Sequence, residues 1–222
     1  MTHIAISRIH FPVTTLGPGN RLGIWFQGCS IRCPGCISMD TWAPGKGATT
    51  VEEVIAAISA WLPRVEGFTI SGGEPFDQPE ALFGLLSGIR AISELDILVY
   101  SGHPFERLDA NLKGMPGLID ALITDPFDME SSHTVAMRGS DNQRLHLLSD
   151  LGRDRLYALE RPLAADDKMF DLMMDASGEV WLAGIPGRGD FDKLKDHLAG
   201  RNHRITTTQN RAISSGRRRE ND

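Results

Sequence analysis

No stretch of this sequence approaches the ~20 consecutive apolar residues that a bilayer span requires, so no membrane-crossing helix is expected. The first residues, Met1 to Ile6, lack a basic region followed by an apolar core. No secretory signal is read there, and the cytoplasm is the expected compartment. No internal repeat of solenoid length is present. Basic charge is in deficit: 23 Lys and Arg face 29 Asp and Glu, a net charge of −6, against the basic stripe of a nucleic-acid binder. What basic charge there is gathers at the end. Residues 201–222 hold six Arg and two acids, a local +4 that leaves −10 on the first 200 residues. That tail is expected to be solvated rather than a docking element. With 222 residues, 41% hydrophobic and 23% charged, the composition is globular and fits one domain with extensions. A chain of this size buries enough surface to fold without disulfide staples.

Cysteine is also scarce, and the three present are informative. Cys29, Cys33 and Cys36 lie within eight residues at C-x3-C-x2-C spacing. An odd number in a reducing compartment argues against a disulfide framework. Structural cysteines scatter through a core rather than cluster. A structural zinc site wants a fourth ligand, and no His lies between His10 and His103. An iron–sulfur cubane normally takes four thiolates, but a short loop can supply three and leave one iron open for reaction. Gly28, Gly35 and Pro34 give such a loop tight and stiff backbone.

Along the chain, residues 3–9 alternate as a half-exposed strand, 17–21 form a turn cluster, and 22–26 are a short buried strand feeding the cysteine loop. Residues 50–62 predict a helix with a Thr50/Glu53 capping box, ended by Pro63. Strands are expected at 67–71, 96–100 and 118–124, and helices at 79–92 and around Phe105–Leu112. Residues 144–160 read as a polar helix, 161–168 as linker, 169–174 and 179–183 as a hairpin, and a last helix starts near Asp190. The strand–helix alternation predicts an α/β fold with parallel strands. Every notable motif then follows a strand's C-terminal end: the cysteine loop, Gly72-Gly73-Glu74, Ser101-Gly102 and Asp125.

The cysteine spacing and its downstream context resemble the radical SAM enzymes. Within them, Gly17-Pro18-Gly19-Asn20-Arg21, Gln27-Gly28, Pro34-Gly35-Cys36, Thr41-Trp42 and Met137–Arg144 are similar to the activating enzymes of glycyl radical enzymes, the anaerobic ribonucleotide reductase activators among them. The resemblance spans about residues 15–148. It implies a partial (βα) TIM-like open barrel with parallel strands, to which this chain adds a C-terminal hairpin and helix. It implies a [4Fe–4S] cluster on Cys29, Cys33 and Cys36 that chelates S-adenosylmethionine and cleaves it to a 5′-deoxyadenosyl radical. Gly72, Gly73 and Glu74 would meet the methionyl amino group, and Ser101 and Gly102 the ribose or carboxylate. Gly35 stands where many radical SAM loops carry an aromatic against adenine, and Asp125 completes the implied cofactor set. His103 is expected to be a surface or hinge residue. Arg138–Arg144 is expected to order a loop beside the cofactor.

The expected organisation is a core at 1–148 with the cluster loop at 28–37, an extension at 149–203 and a disordered basic tail at 204–222. With every thiol spent on one cluster, no auxiliary cluster and no cysteine nucleophile remain. The expected reaction is hydrogen abstraction that places a glycyl radical on an anaerobic ribonucleotide reductase-like partner, fed by a flavodoxin- or ferredoxin-type donor. That partner is expected to touch Phe76, Phe127 and the 138–144 run at an open mouth. Neither membrane nor nucleic acid is expected to bind. The alternatives are a radical SAM enzyme acting on a small molecule or peptide, and a non-catalytic protein stabilised by a metal.

Overall fold

The computed structural model describes residues 1–174 and 180–201. The expected disordered tail at 204–222 lies outside the described residues. Seven strands form one sheet: β1 (His3–Val13), β2 (Arg21–Phe26), β3 (Ala48–Thr50), β4 (Gly67–Gly72), β5 (Ile97–Tyr100), β6 (Ala121–Thr124) and β7 (Arg144–Leu147). Their spatial order is β3-β1-β2-β4-β5-β6-β7. The centre is parallel: β2 pairs with β4, β4 with β5 and β5 with β6. Both flanks are antiparallel, through β1 on β2, β3 on β1 and β7 on β6. The sheet therefore runs from one edge to the other without closing, among the described residues. The strand expected at 3–9 is longer than the sequence pattern suggests and runs antiparallel to its neighbour, while the four strands of the expected strand–helix alternation are the parallel ones.

Parallel strands are buried on both faces, and these are. On one face Ile24, Phe26, Phe68, Ile70, Ile97 and Val99 meet two helices, α1 (Val51–Ser59) and α2 (Pro79–Ile92). The capping box of α1 forms as read, Thr50 accepting from the Glu53 N–H and Glu53 from the Thr50 N–H. The stripe Leu82, Leu85, Leu86 and Ile89 is fully buried. The short helix α3 (Asp109–Lys113) follows β5. On the opposite face Leu98, Ala121 and Ile123 meet Leu156 of α4 (Asp150–Leu156).

The polar helix expected over 144–160 is instead two elements. Arg144–Leu147, polar and apolar by turns in sequence, pairs with β6 as β7, and Ser149 caps α4 by accepting from the Gly152 N–H. A period of two over four residues is too short to stand out beside a seven-residue helix. The hairpin is present as β8 (Phe170–Met174) and β9 (Val180–Gly184), followed by α5 (Asp190–Ala199). It packs Met173 and Ala183 against Val13 and Trp25 of the sheet and Leu16 of the loop between β1 and β2. No described helix is long and apolar enough to cross a membrane.

At the N-terminal ends of the parallel strands lies a buried ion pair. Arg21, fully buried, contacts Asp96 at 2.6 Å and donates to Thr69 Oγ1 at 2.7 Å. The Gly17–Arg21 motif thus works at the sheet edge opposite the cysteine loop.

Candidate functional site

The cysteine loop leaves the C-terminal end of β2, and its two ends are tied together: Gly28 N–H donates to Thr41 O at 2.7 Å and Cys29 N–H to Trp42 O at 3.3 Å. Such closure makes a compact loop from a segment without regular structure. Asp77 pins its interior, accepting from the Ser30 N–H at 2.7 Å and the Ser30 hydroxyl at 2.8 Å. Gln78 bridges the base, accepting from Ala5 N–H and donating to Gln27 O. No spacing rule singles out Asp77 and Gln78. They directly follow the Gly-Gly-Glu-Pro motif, and their role is visible only when the two loops meet.

The three thiols are half-buried and line one cavity of about 1320 Å³. Burial pushes all three thiols up, and the nearby carboxylates of Glu74 and Asp77 add to this at Cys29. Backbone N–H groups work the other way, favouring the ionised sulfur at Cys29 from Ile31 and Arg32, and at Cys33 from Phe127. The Ser38 N–H donates to Cys36 Sγ at 3.4 Å. Raised thiols surrounded by N–H donors suit a bound cationic iron centre, which ionises its ligands and is tuned by such hydrogen bonds. Among the described residues no three His, Cys, Asp or Glu converge on a point suited to one ion. A cubane asks for a looser set, since each thiolate meets a different iron.

Gly72 and Gly73 allow β4 to end against this loop. A Cβ at Gly72, where φ is +106°, would lie 2.5 Å from Phe26 N, and one at Gly73 would lie 2.0 Å from Gly28 O. Glu74, 1% exposed, then turns into the cavity wall. Its Oε1 accepts from Phe76 N–H at 3.0 Å and Ser101 Oγ at 2.9 Å, and its Oε2 from Gly102 N–H at 2.8 Å. Burial outweighs these donors and raises its pKa to about 7. The hydroxyl proton of Ser101 is committed to Glu74, and its oxygen accepts from His103 N–H. His103 is buried, with Nε2 3.6 Å from Asp77, so it is a support for the loop anchor rather than a surface residue. Burial, then Arg107, holds its pKa down.

Gly35 lines the cavity too, with the Phe127 ring and the Met129 sulfur over it, 3.4 and 3.3 Å from where a Cβ would stand. Asp125 stands apart. Its carboxylate pairs with Arg144 at 2.7 Å, and Arg144 also forks onto Glu106. The 138–144 run does order a loop: Asn142 donates to Pro126 O, Gln143 to Asp125 O, and Ser140 accepts from Asp128 N–H. Phe76 and Arg138 are buried, at 7% and 8% exposure, so neither can meet a docked partner.

The family of 4Fe-4S single cluster domains matches residues 15–146, more than half of the chain, with the three cysteines and Glu74 inside the match. The chain belongs to that family. Among curated relatives, the anaerobic ribonucleoside-triphosphate reductase-activating protein of Enterobacteria phage T4 is 30% identical over 134 residues, 58% of this chain and 85% of the relative. The protein of the same name from Escherichia coli K12 is 28% identical over 148 residues, 63% and 96% of the two chains. Pyruvate formate-lyase-activating enzyme of Clostridium pasteurianum is 40% identical over 75 residues, 32% of each. The resemblance to the radical SAM activating group is borne out. Within this 4Fe-4S single cluster domain, the matched region ends at β7, so α4, the hairpin and α5 lie beyond it.

Proposed function

We propose that this protein is a radical SAM activating enzyme that generates a glycyl radical on an anaerobic ribonucleotide reductase-like partner. One observation carries the reading: three loop thiols and a buried strand-end carboxylate face the same cavity at the C-terminal ends of the parallel strands. Cys29, Cys33 and Cys36 would hold a [4Fe–4S] cluster. A cluster held by these thiolates would supply the one-electron reductive cleavage of S-adenosylmethionine to methionine and a 5′-deoxyadenosyl radical, the species that would take a hydrogen atom from the target glycine. Glu74 would accept from the amino group of S-adenosylmethionine through lone-pair capacity that three protein donors leave over. Ser101 acts by aiming Glu74, and Gly102 and Gly35 by leaving room against the cavity. Asp125 acts one layer out, through Arg144. The sheet is assigned the curvature of a partial TIM-like barrel.

The partner's glycine loop would enter past an apolar rim formed by Ile37, Met129, Leu172 and Val180, all 37–59% exposed. A flavodoxin- or ferredoxin-type protein is the proposed donor and the cytoplasm the proposed compartment. Anaerobic reconstitution tests the reading. About four iron and four sulfide per chain, with reductive release of 5′-deoxyadenosine, are expected, and Cys33→Ala should abolish both. One zinc per chain without cleavage would support a structural metal instead.

A further inference from the structure

The cavity has two sides. One is built by the matched family region. The other is built by residues beyond it, among them Ala183, Gly184, Ile185 and Phe191. The hairpin supplies part of this second side, with the segment after it and α5 adding the rest, and it is fastened to the sheet at two points, the second of them beside the cysteine loop. At the first, Asp171 accepts from Thr14 N–H at 2.6 Å, Thr14 Oγ1 at 2.9 Å and Thr15 Oγ1 at 3.1 Å. At the second, the Arg8 guanidinium lies 4.6 Å from the Trp181 ring and 5.7 Å from the Trp25 ring. The same guanidinium bonds Asp40 at 2.7 Å, in the stretch that returns from the cysteines to the sheet. Strand registers set this up: Arg8 lies opposite Trp25, Met173 opposite Trp181, and Asp171 opposite Ala183. Asp171, Met173, Trp181 and Ala183 therefore share the face turned to the sheet.

Resting on the cluster reading above, we propose that the hairpin β8–β9 is a fixed wall of the radical site, with Asp171 and Trp181 as its positioning residues. Its task is to keep water and small solutes from the three-cysteine loop on the side the matched family region leaves open. Radical chemistry needs such exclusion, because a reactive intermediate in contact with solvent is lost to side reactions. The chain thus provides cover of its own before any partner docks, and the mouth is narrower than the matched family region alone would leave it.

The test compares the reconstituted full chain with Trp181→Ala and Asp171→Ala, and with Ile89→Val as a core truncation on the opposite sheet face. The readout is the rate at which a ferrous chelator bleaches the cluster absorbance. Alkylation of the three thiols by iodoacetamide is followed in parallel in the metal-free full chain. Both hairpin variants should speed both reactions about tenfold, the effect of losing one anchoring interaction on local opening, while Ile89→Val changes neither. Unchanged rates in the hairpin variants, or equal acceleration in Ile89→Val, would overturn the wall. If the unaltered chain assembles no cluster, the cluster reading fails, and the alkylation rates still decide the wall.

Discussion

Glu74 shows how one residue couples the site to pH. Its folded pKa lies near 7, above the usual carboxylate range, because burial outweighs three hydrogen-bond donors. A carboxyl raised on folding binds more protons in the folded state between about 4.5 and 7, so stability falls as pH rises through that window. The metal-free chain is expected to lose up to ~3 kcal/mol from this group between those limits. Urea unfolding at pH 5 and pH 8 checks it, and Glu74→Gln should flatten the difference. An ammonium group placed beside Glu74 stabilises its ionised form, so S-adenosylmethionine should bind more tightly at pH 8 than at pH 6 and release protons on binding near pH 6.5. Calorimetry in buffers of different ionisation heat measures that release. Glu74 was legible as a strand-end acid after two glycines. That its carboxylate would be held by Ser101 and Gly102 was not, since β4 and β5 are joined only by the fold. Asp125 was legible by the same rule, yet Arg144 claims its carboxylate. A strand end marks where a side chain emerges, not which neighbour reaches it first.

Among the elements, the cysteine loop is the one that depends most on tertiary contacts. It has little regular structure between β2 and β3, and Asp77 supplies two hydrogen bonds to its interior. Hydrogen bonds to a charged acceptor contribute about 1.5–3 kcal/mol each. Asp77→Ala is therefore expected to cut iron retention several-fold after gel filtration, with Asp77→Asn intermediate. Full iron in Asp77→Ala would show that the loop holds itself. The helices needed less context. The capping box of α1 and the apolar stripe of α2 are local patterns, and both appear where the sequence places them. Thr50→Ala should cost about 1 kcal/mol in thermal or urea unfolding. β7 was lost because four residues of alternation carry little signal until β6 offers a partner edge.

Across the whole molecule, chemistry and stability sit at opposite ends of the parallel strands. The C-terminal ends carry the cysteines and Glu74. The N-terminal ends carry Arg21 and Asp96, both with fully buried side chains. Removing one partner of a buried pair leaves an uncompensated charge, so Asp96→Ala should cost about 3–5 kcal/mol of stability. A milder loss in urea unfolding would mean that water reaches Arg21. The βα alternation made the parallel centre legible, whereas the antiparallel flanks were not, because strand direction follows from connections longer than any local pattern. On the proposed reading, the arrangement as a whole serves one event at one edge, the meeting of a three-thiolate cluster with a sulfonium ligand. Electron paramagnetic resonance of the anaerobically reduced chain, recorded before and after adding S-adenosylmethionine, tests this most directly. A cubane signal whose shape shifts on addition is the expected result. A chain with no cubane signal, or a signal indifferent to the ligand, would contradict it.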